Sequence, residues 1–124
     1  MEIKANNSLV INKRIDLSAL YPEMLFLLLR VTPIMEYDNE GKRTDKVVAH
    51  TYECVETMDF NHLKVRVENL ALPISNEELQ KMRQAGEKVA VEFINPTIMV
   101  YINRNTSTIE DSIKADDVRL VEME

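Results

Sequence analysis

The segment HLKVRVE, residues 62–68, alternates polar and apolar side chains without a break. A period of two places Leu63, Val65 and Val67 on one face of a β-strand and mostly charged side chains on the other. Such a strand must bury its apolar face against other elements of the fold. The segment therefore favours a sheet that covers a core on one side and presents a charged surface on the other.

Other β-forming segments recur along the chain, with the same period or as continuous apolar runs. They are predicted at about residues 9–15, 24–36, 47–58, 62–70, 88–94, 97–103 and 117–122. The tetrapeptide MDFN at 58–61 predicts a tight reversal, so its two flanking strands should form an antiparallel hairpin. Asn95-Pro96 predicts a bend or corner, because proline cannot donate to a strand ladder.

The segment LPISNEELQKMRQAGEK has the pattern of a helix instead of a strand. Ser75, with Glu78 three residues later, forms a capping box, and Gly86 allows the left-handed residue that ends a helix. The predicted buried positions are Ile74, Leu79 and Met82. One short helix among several strands predicts a mainly β fold, specifically a small OB-like Greek-key β-barrel. We expect a single domain over residues 1–124, with frayed ends at 1–8 and 123–124.

Composition is consistent with one soluble domain. A chain of 124 residues with 45% hydrophobic content can bury a core without staples. The single cysteine, Cys54, excludes an internal disulfide framework and is typical of a cytoplasmic protein. No apolar core for a signal peptide is found near the N-terminus, and LFLLLRV is far shorter than the about 20 apolar residues of a membrane span. We expect a cytoplasmic location and no membrane partner.

Residues for catalysis or metal binding do not form a known pattern. His50, His62 and Cys54 are the only soft ligands, and their spacing matches no zinc motif. We expect His50 to be a partly buried, hydrogen-bonded strand residue and His62 to be solvated. The adjacent carboxylates at 110–111 and 116–117 would face opposite ways on a strand. The chain also lacks a glycine-rich phosphate loop, and we predict a non-enzyme with no cofactor and no metal.

Cations and aromatic residues near the predicted hairpins are the candidates for a binding site. The segment EYDNEGKRTDK (36–46) lies between two β-forming runs and carries three cations, and the strand at 62–68 adds two. Sites for single-stranded nucleic acid combine cations for phosphates with aromatic platforms for bases. OB folds place such sites on the second and third strands and on neighbouring loops. The predicted nucleic-acid-binding residues are Lys42, Arg43, Lys46, Lys64 and Arg66, with Tyr37, Tyr52 and Phe60 as stacking platforms.

The same segment 36–46 has a second interpretation as a solvated hairpin tip. It contains four carboxylates against its three cations, and the whole chain has a net charge of −6. That balance argues against binding through bulk positive charge. In this interpretation the tyrosines are half-buried in the barrel wall. The two interpretations differ in whether the cations of 36–46 converge with Lys64 and Arg66 on one concave face.

Residues 88–122 carry a two-part pattern, KVAVEFINP followed by KADDV. This order and spacing resemble the end of a family of small proteins carried by integrative and conjugative elements of Gram-positive bacteria. The family was long described as a domain of unknown function and includes a helicase processivity factor; its Thr-Phe-Gly-like element near the start has no counterpart here. Within the pattern, structural roles are predicted for Asn95, Pro96, Asp116 and Asp117.

The resemblance implies a non-catalytic accessory protein of mobile-element replication or conjugation. Such a protein would bind single-stranded DNA and assist a helicase or a relaxase. The alternative is an acidic protein-interaction module that docks on a replication or conjugation protein without binding DNA. An exposed edge strand such as 97–103 would then pair with a partner or with a second copy of the chain. The sequence leaves open the oligomeric state and the choice between DNA and RNA.

Overall fold

The computed structural model describes residues 12–22 and 25–122. Its strands are β1 (Arg14–Asp16), β2 (Phe26–Tyr37), β3 (Arg43–Glu56), β4 (His62–Val67), β5 (Ala90–Ile94), β6 (Thr97–Asn103), β7 (Thr108–Ala115) and β8 (Asp117–Val121). A 3-10 turn at Leu17–Ala19 follows β1, and helix α1 (Asn76–Gln84) lies between β4 and β5. The predicted frayed ends, 1–8 and 123–124, lie outside the described residues.

All eight strands belong to one sheet, in the order β1-β6-β7-β4-β3-β2-β5-β8. Neighbouring strands are antiparallel except β4 and β7, which run parallel. The prediction of a mainly β fold with one helix is confirmed. Within the described residues the sheet is not closed into a barrel, because β1 and β8 each have one neighbour.

The predicted hairpin around residues 58–61 is confirmed, since β3 and β4 pair antiparallel from Val55↔His62 to His50↔Val67. Strand β7 (Thr108–Ala115) is absent from the predicted strands. The proposed edge at 97–103 is partly covered within the described residues, because β1 pairs with its first three residues only. That segment is β6, which pairs with β7 along its whole length and with β1 at its start.

The predicted corner at Asn95-Pro96 is confirmed, and it is tied to a second corner between β7 and β8. Asn95 adopts a positive φ of +51°, a conformation that asparagine tolerates better than most residues. Its side-chain amide donates to the Asp116 carboxylate at 3.0 Å, and the Asp116 amide donates to the Ile94 carbonyl at 2.9 Å. The two halves of the KVAVEFINP and KADDV pattern therefore meet in space and hold two strand reversals together.

Helix α1 begins just after Ser75, as the capping pattern predicts, and its apolar side chains join the core. The Ser75 hydroxyl accepts a hydrogen bond from the Glu78 amide at 3.1 Å, and Gly86 has a φ of +82° just after the helix. Leu79 is fully buried and Ile74 nearly so. The caps and the apolar stripe predicted from sequence are therefore those that the structure uses.

The helix also satisfies backbone groups freed by a β-bulge in β2. The register of β2 against β3 shifts between Leu28 and Arg30, and the intervening Leu29 carbonyl accepts from Gln80 and Arg83 of the helix at 2.8 and 2.9 Å. A bulge leaves its extra residue without ladder partners. Side chains of α1 supply those partners, which fixes the helix against β2.

The burial of Cys54 in the core predicts that its thiol does not react in the folded protein. This thiol is fully buried on β3, and burial, with a smaller contribution from Glu53, raises its pKa to about 12. Because only the thiolate attacks thiol reagents, we expect native protein at pH 8 to react with 5,5′-dithiobis(2-nitrobenzoate) at a negligible rate. The same protein in guanidinium chloride should react fully, as the control. Rapid reaction of the native protein would contradict this burial.

Candidate nucleic-acid interface

The sheet has a polar face that points away from the core on β3, β4, β6 and β7. On β4 the exposed residues His62, Lys64 and Arg66 alternate with buried ones, as the sequence predicts. We define the outer face by the residues on that side of the neighbouring strands. They are Thr51 and Glu53 of β3, Lys64 and Arg66 of β4, Ser112 and Lys114 of β7, Thr97, Met99 and Tyr101 of β6, and Arg14 of β1.

The parallel register of β4 and β7 brings two cations side by side on the outer face. Arg66 pairs directly with Lys114, and their neighbours in the same row are Thr51 on β3 and Thr97 on β6. Like charges placed opposite each other on neighbouring strands destabilise a sheet. A bound anion would relieve that repulsion.

Two adjoining depressions lie on the outer face and share Arg66. One, here the Lys64 depression, has a volume of about 460 Å³. Its lining residues are Thr51, Glu53, His62, Lys64, Arg66, Tyr101, Asp111, Ser112 and Ile113. The other, here the Arg14 depression, has a volume of about 420 Å³. Its lining residues are Arg14, Arg66, Glu68, Asn95, Thr97, Lys114, Ala115 and Asp116.

The cations of the β2–β3 hairpin tip line neither depression. Lys42 lies 3.9 Å from Glu40 and Lys46 lies 3.9 Å from Glu36, so both have a carboxylate partner. Strand β4 ends at Val67, opposite His50. Since β3 continues beyond that point, Arg43 lies roughly 25 Å along β3 from Thr51, at about 3.3 Å per residue. The structure therefore does not bring Lys42, Arg43 and Lys46 next to Lys64 and Arg66, which favours the interpretation of 36–46 as a solvated hairpin tip.

The three predicted stacking residues have different environments. Tyr37 and Phe60 are 65% and 68% exposed, whereas Tyr52 is fully buried. The prediction of Tyr52 as a stacking platform is wrong, because it pairs with Val65 and shares the core-facing side of the sheet. Its ring packs 6.3 Å from that of Phe93, and burial, with a smaller effect of Asp117, raises the pKa of its hydroxyl to about 12.

Phe60 is held in an unusual backbone conformation at the tip of the β3–β4 hairpin. Its φ is +62°, an outlier for a bulky side chain. The buried Glu56 carboxylate accepts hydrogen bonds from the amides of Asp59 and Phe60 at 2.5 and 3.0 Å and from the Asn61 side chain at 3.0 Å. This network fixes the turn and presents the Phe60 ring to solvent, two residues before His62.

The histidines and carboxylates form no shared ligand set. His62 is exposed as predicted. His50 is buried, its Nδ1 has no hydrogen-bond partner among the described residues, and burial lowers its pKa. Over residues 12–22 and 25–122, no three His, Cys, Asp or Glu side chains cluster closely enough to hold a metal ion. No helix in this part of the chain has the length and apolarity needed to cross a membrane.

Two cations of the outer face, Arg14 and Lys114, were not predicted as site residues. Lys114 lies on the strand that the prediction missed, where the alternation SIKA is only four residues long. Arg14 precedes Ile15 and Asp16 in a strand of three residues. In both cases the local alternation identifies the polar face, but the neighbours across the sheet are set by strand pairing alone.

Comparison of the chain with protein-family models, curated proteins and solved structures gives no match. The resemblance of residues 88–122 to proteins of conjugative elements therefore stays a prediction. The contacts, charges and burial of the outer face carry the functional argument that follows.

The Glu56 network predicts a dependence of stability on pH. Burial raises the pKa of this carboxyl, but the hydrogen bonds from Asp59, Asn61 and Phe60 outweigh that effect and leave it below its ordinary value of 4.5. The carboxylate's stabilisation is therefore fully present above pH 4.5 and is lost as the pH falls through the lower folded-state pKa. We expect Glu56→Gln to lower the unfolding temperature at pH 7.

The difference between Glu56→Gln and the wild type should shrink below pH 4.5 and disappear at lower pH. Thermal unfolding followed by circular dichroism over that pH range measures it. Glu87→Gln, the same change at an exposed position, serves as the control and should leave stability nearly unchanged. A deficit of Glu56→Gln that is constant with pH would show that the carboxylate charge does not stabilise the turn.

Proposed function

We propose that this chain is a non-catalytic, cytoplasmic protein that binds single-stranded nucleic acid on its outer face. The observation that carries the proposal is the row in which Arg66 and Lys114 are direct neighbours, with Lys64 two residues from Arg66 on the same face. Cations spaced along a concave surface neutralise successive phosphates, and the displaced counterions supply much of the binding free energy. The resemblance of residues 88–122 supports a role in replication or conjugation of a mobile element.

We further propose that the sheet is an OB-like variant. The order β4-β3-β2-β5 supports this, because a three-stranded meander whose fourth strand returns beside the first is a Greek key. Strands β5 and β6 are separated by only two residues and lie in distant parts of the sheet order, as expected if one bent strand joins both parts. OB folds are partly open barrels that bind oligonucleotides on their second and third strands, here β3 and β4.

Aromatic residues near the depressions would supply stacking surfaces. Tyr101 lies on the outer face and lines the Lys64 depression, with its hydroxyl donating to Glu110 at 3.2 Å. Phe60 precedes the row formed by His62, Lys64 and Arg66, whose members are about 6.6 Å apart along the strand. Base stacking on such rings contributes about 1–3 kcal/mol per base. Cations and rings together would bind a strand without reading its sequence.

The second candidate is a protein-interaction module, favoured by one observation. Strand β8 pairs only with β5, so its other edge offers unpaired backbone groups within the described part of the chain. Open edges recruit strands from a partner or from a second copy. This candidate predicts no dependence of function on Lys64 or Lys114, which separates it from the first.

The first test of nucleic-acid binding is fluorescence anisotropy with a labelled single strand of ~30 nucleotides, at two salt concentrations. We expect binding that weakens steeply with salt and prefers the single strand to a duplex. Lys64→Ala and Arg66→Ala should each lower affinity with little dependence on sequence and reduce the salt slope by about 0.7.

The matched control is Lys81→Ala, which removes the same charge from an exposed position on α1. It should bind as the wild type does. Wild-type binding that is absent at low salt would favour the interaction module and call for a pull-down with purified helicase or relaxase. An equal loss in all three variants would contradict an interface on the outer face, because it would show a dependence on overall charge alone. An RNA strand of the same sequence tests the choice between DNA and RNA.

Phe60 offers a test that separates a binding role from a structural one. Phe60→Gly removes the ring and also relieves the backbone strain at positive φ, because glycine adopts that conformation freely. We expect this variant to be at least as stable as the wild type. Its binding free energy for the single strand should be weaker by about 1 kcal/mol or more. Stability by thermal unfolding and affinity by anisotropy are measured on the same protein. Unchanged affinity would remove Phe60 from the interface.

A further inference from the structure

The Arg14 side chain extends from β1 over the neighbouring strand β6 to reach β7. Its register partner on β6 is Met99, whose partner on β7 is Ser112. The guanidinium reaches over β6 so that Nη1 donates to the Ser112 carbonyl and to the Thr97 hydroxyl, both at 3.1 Å, with a longer contact to the Thr97 carbonyl at 3.4 Å. Nη2 donates to the Ser112 hydroxyl at 3.3 Å. The side chain is therefore fixed at its far end.

These contacts leave part of the Arg14 guanidinium free to bind a ligand. A guanidinium has five N–H donors, and Nε–H with one N–H of Nη2 makes no hydrogen bond to the described residues. All its partners are neutral oxygens, and no described carboxylate lies within 4.0 Å of it. A half-buried, immobilised guanidinium with spare donors loses little conformational entropy when it binds a planar anion edge.

Two further cations line the same depression, Arg66 and Lys114. Their direct pairing across β4 and β7 places like charges together. The depression also contains two carboxylates, but each already has a partner. Asp116 accepts from Asn95 at 3.0 Å, and Glu68 lies 3.8 Å from Arg66 with most of its side chain exposed. Three cations against two partnered carboxylates leave the Arg14 depression with an excess of positive charge.

We propose that Arg14, Arg66 and Lys114 form a phosphate-binding site in the Arg14 depression. The site takes one phosphate group, with Arg14 donating from its free N–H groups and Lys114 acting as a point charge. A backbone phosphodiester and a terminal 5′-phosphate share this chemistry. This proposal rests on the proposed function, because the phosphate belongs to a single strand of nucleic acid that lies along β4. The site anchors that strand on the side of β7.

The direct test is a titration of uniformly ¹⁵N-labelled protein with sodium phosphate and with sodium pyrophosphate, followed by amide chemical shifts. Sodium chloride at equal ionic strength is the control. We expect shifts in the amides around the depression, at 13–15, 97–98, 112–116 and 66–68, that chloride does not produce. Uniform or absent shifts would overturn the site, whatever the protein does with nucleic acid.

The second test uses anisotropy with single strands that carry a 5′-phosphate or a 5′-hydroxyl. Lys114→Ala, at an exposed position, should weaken binding about tenfold and reduce the salt slope by about 0.7. Arg14→Lys retains the charge and lessens the risk that β1 detaches, yet it loses the planar fork and should also weaken binding. If both residues hold the same phosphate, the double variant should lose less than the product of the two single losses. Lys81→Ala is again the charge-matched control.

The outcomes separate the site from the wider function. Binding of single strands that depends on Lys64 but not on Lys114 or Arg14 would overturn the phosphate site and leave the proposed function standing. Phosphate-induced shifts in the depression without binding of any strand would support the site and overturn the proposed function. A preference for the 5′-phosphorylated strand, lost in Lys114→Ala, would assign the site to a strand end, and equal binding of both strands would assign it to the backbone.

Discussion

The parallel pairing of β4 with β7 is the contact on which the rest of the structure depends. It is the one parallel pair in the described sheet, and it joins the meander β2-β3-β4 to β7, β6 and β1. Without it, Arg66 and Lys114 would lie on separate surfaces, and neither depression would exist in its present form. The pairing covers only three residues on each strand, from Val65↔Ile113 to Val67↔Ala115, so it needs support from elsewhere in the fold.

That support comes from the two strand corners that meet at Asn95 and Asp116. Their hydrogen bonds link the end of β5 to the end of β7, directly after the residues of β7 that pair with β4. Pro96, which follows Asn95, is buried and contributes no donor to any ladder. Residues that resemble a family pattern therefore have a structural role here, and they act by positioning the strand that carries Lys114.

The net charge of the molecule does not show where its charged side chains lie. Some of the carboxylates behind the net charge of −6 pair with the hairpin cations Lys42 and Lys46. Others line the depressions themselves, Glu53 and Asp111 in the Lys64 depression and Glu68 and Asp116 in the Arg14 depression. The outer face retains Arg14, Lys64 and Lys114 without a described carboxylate within 4.0 Å. An acidic protein of this kind is repelled from nucleic acid in general but can hold a strand in one groove. That arrangement would favour a defined orientation over tight non-specific binding.

The sequence by itself determined the features that depend on neighbours along the chain. The alternation in residues 62–68, the caps of α1, the hairpin at 58–61 and the corner at Asn95-Pro96 were all predictable, because periods of two and 3.6 and the preferences of glycine and proline are local. Only the tertiary structure decided which strands without a tight turn between them became neighbours across the sheet. Lys114 meets Arg66 from 48 positions away, a distance over which no local pattern acts. Tyr52 faces the core because the pairing of β3 with β4 places it opposite Val65, and a shift of one residue would have reversed its face.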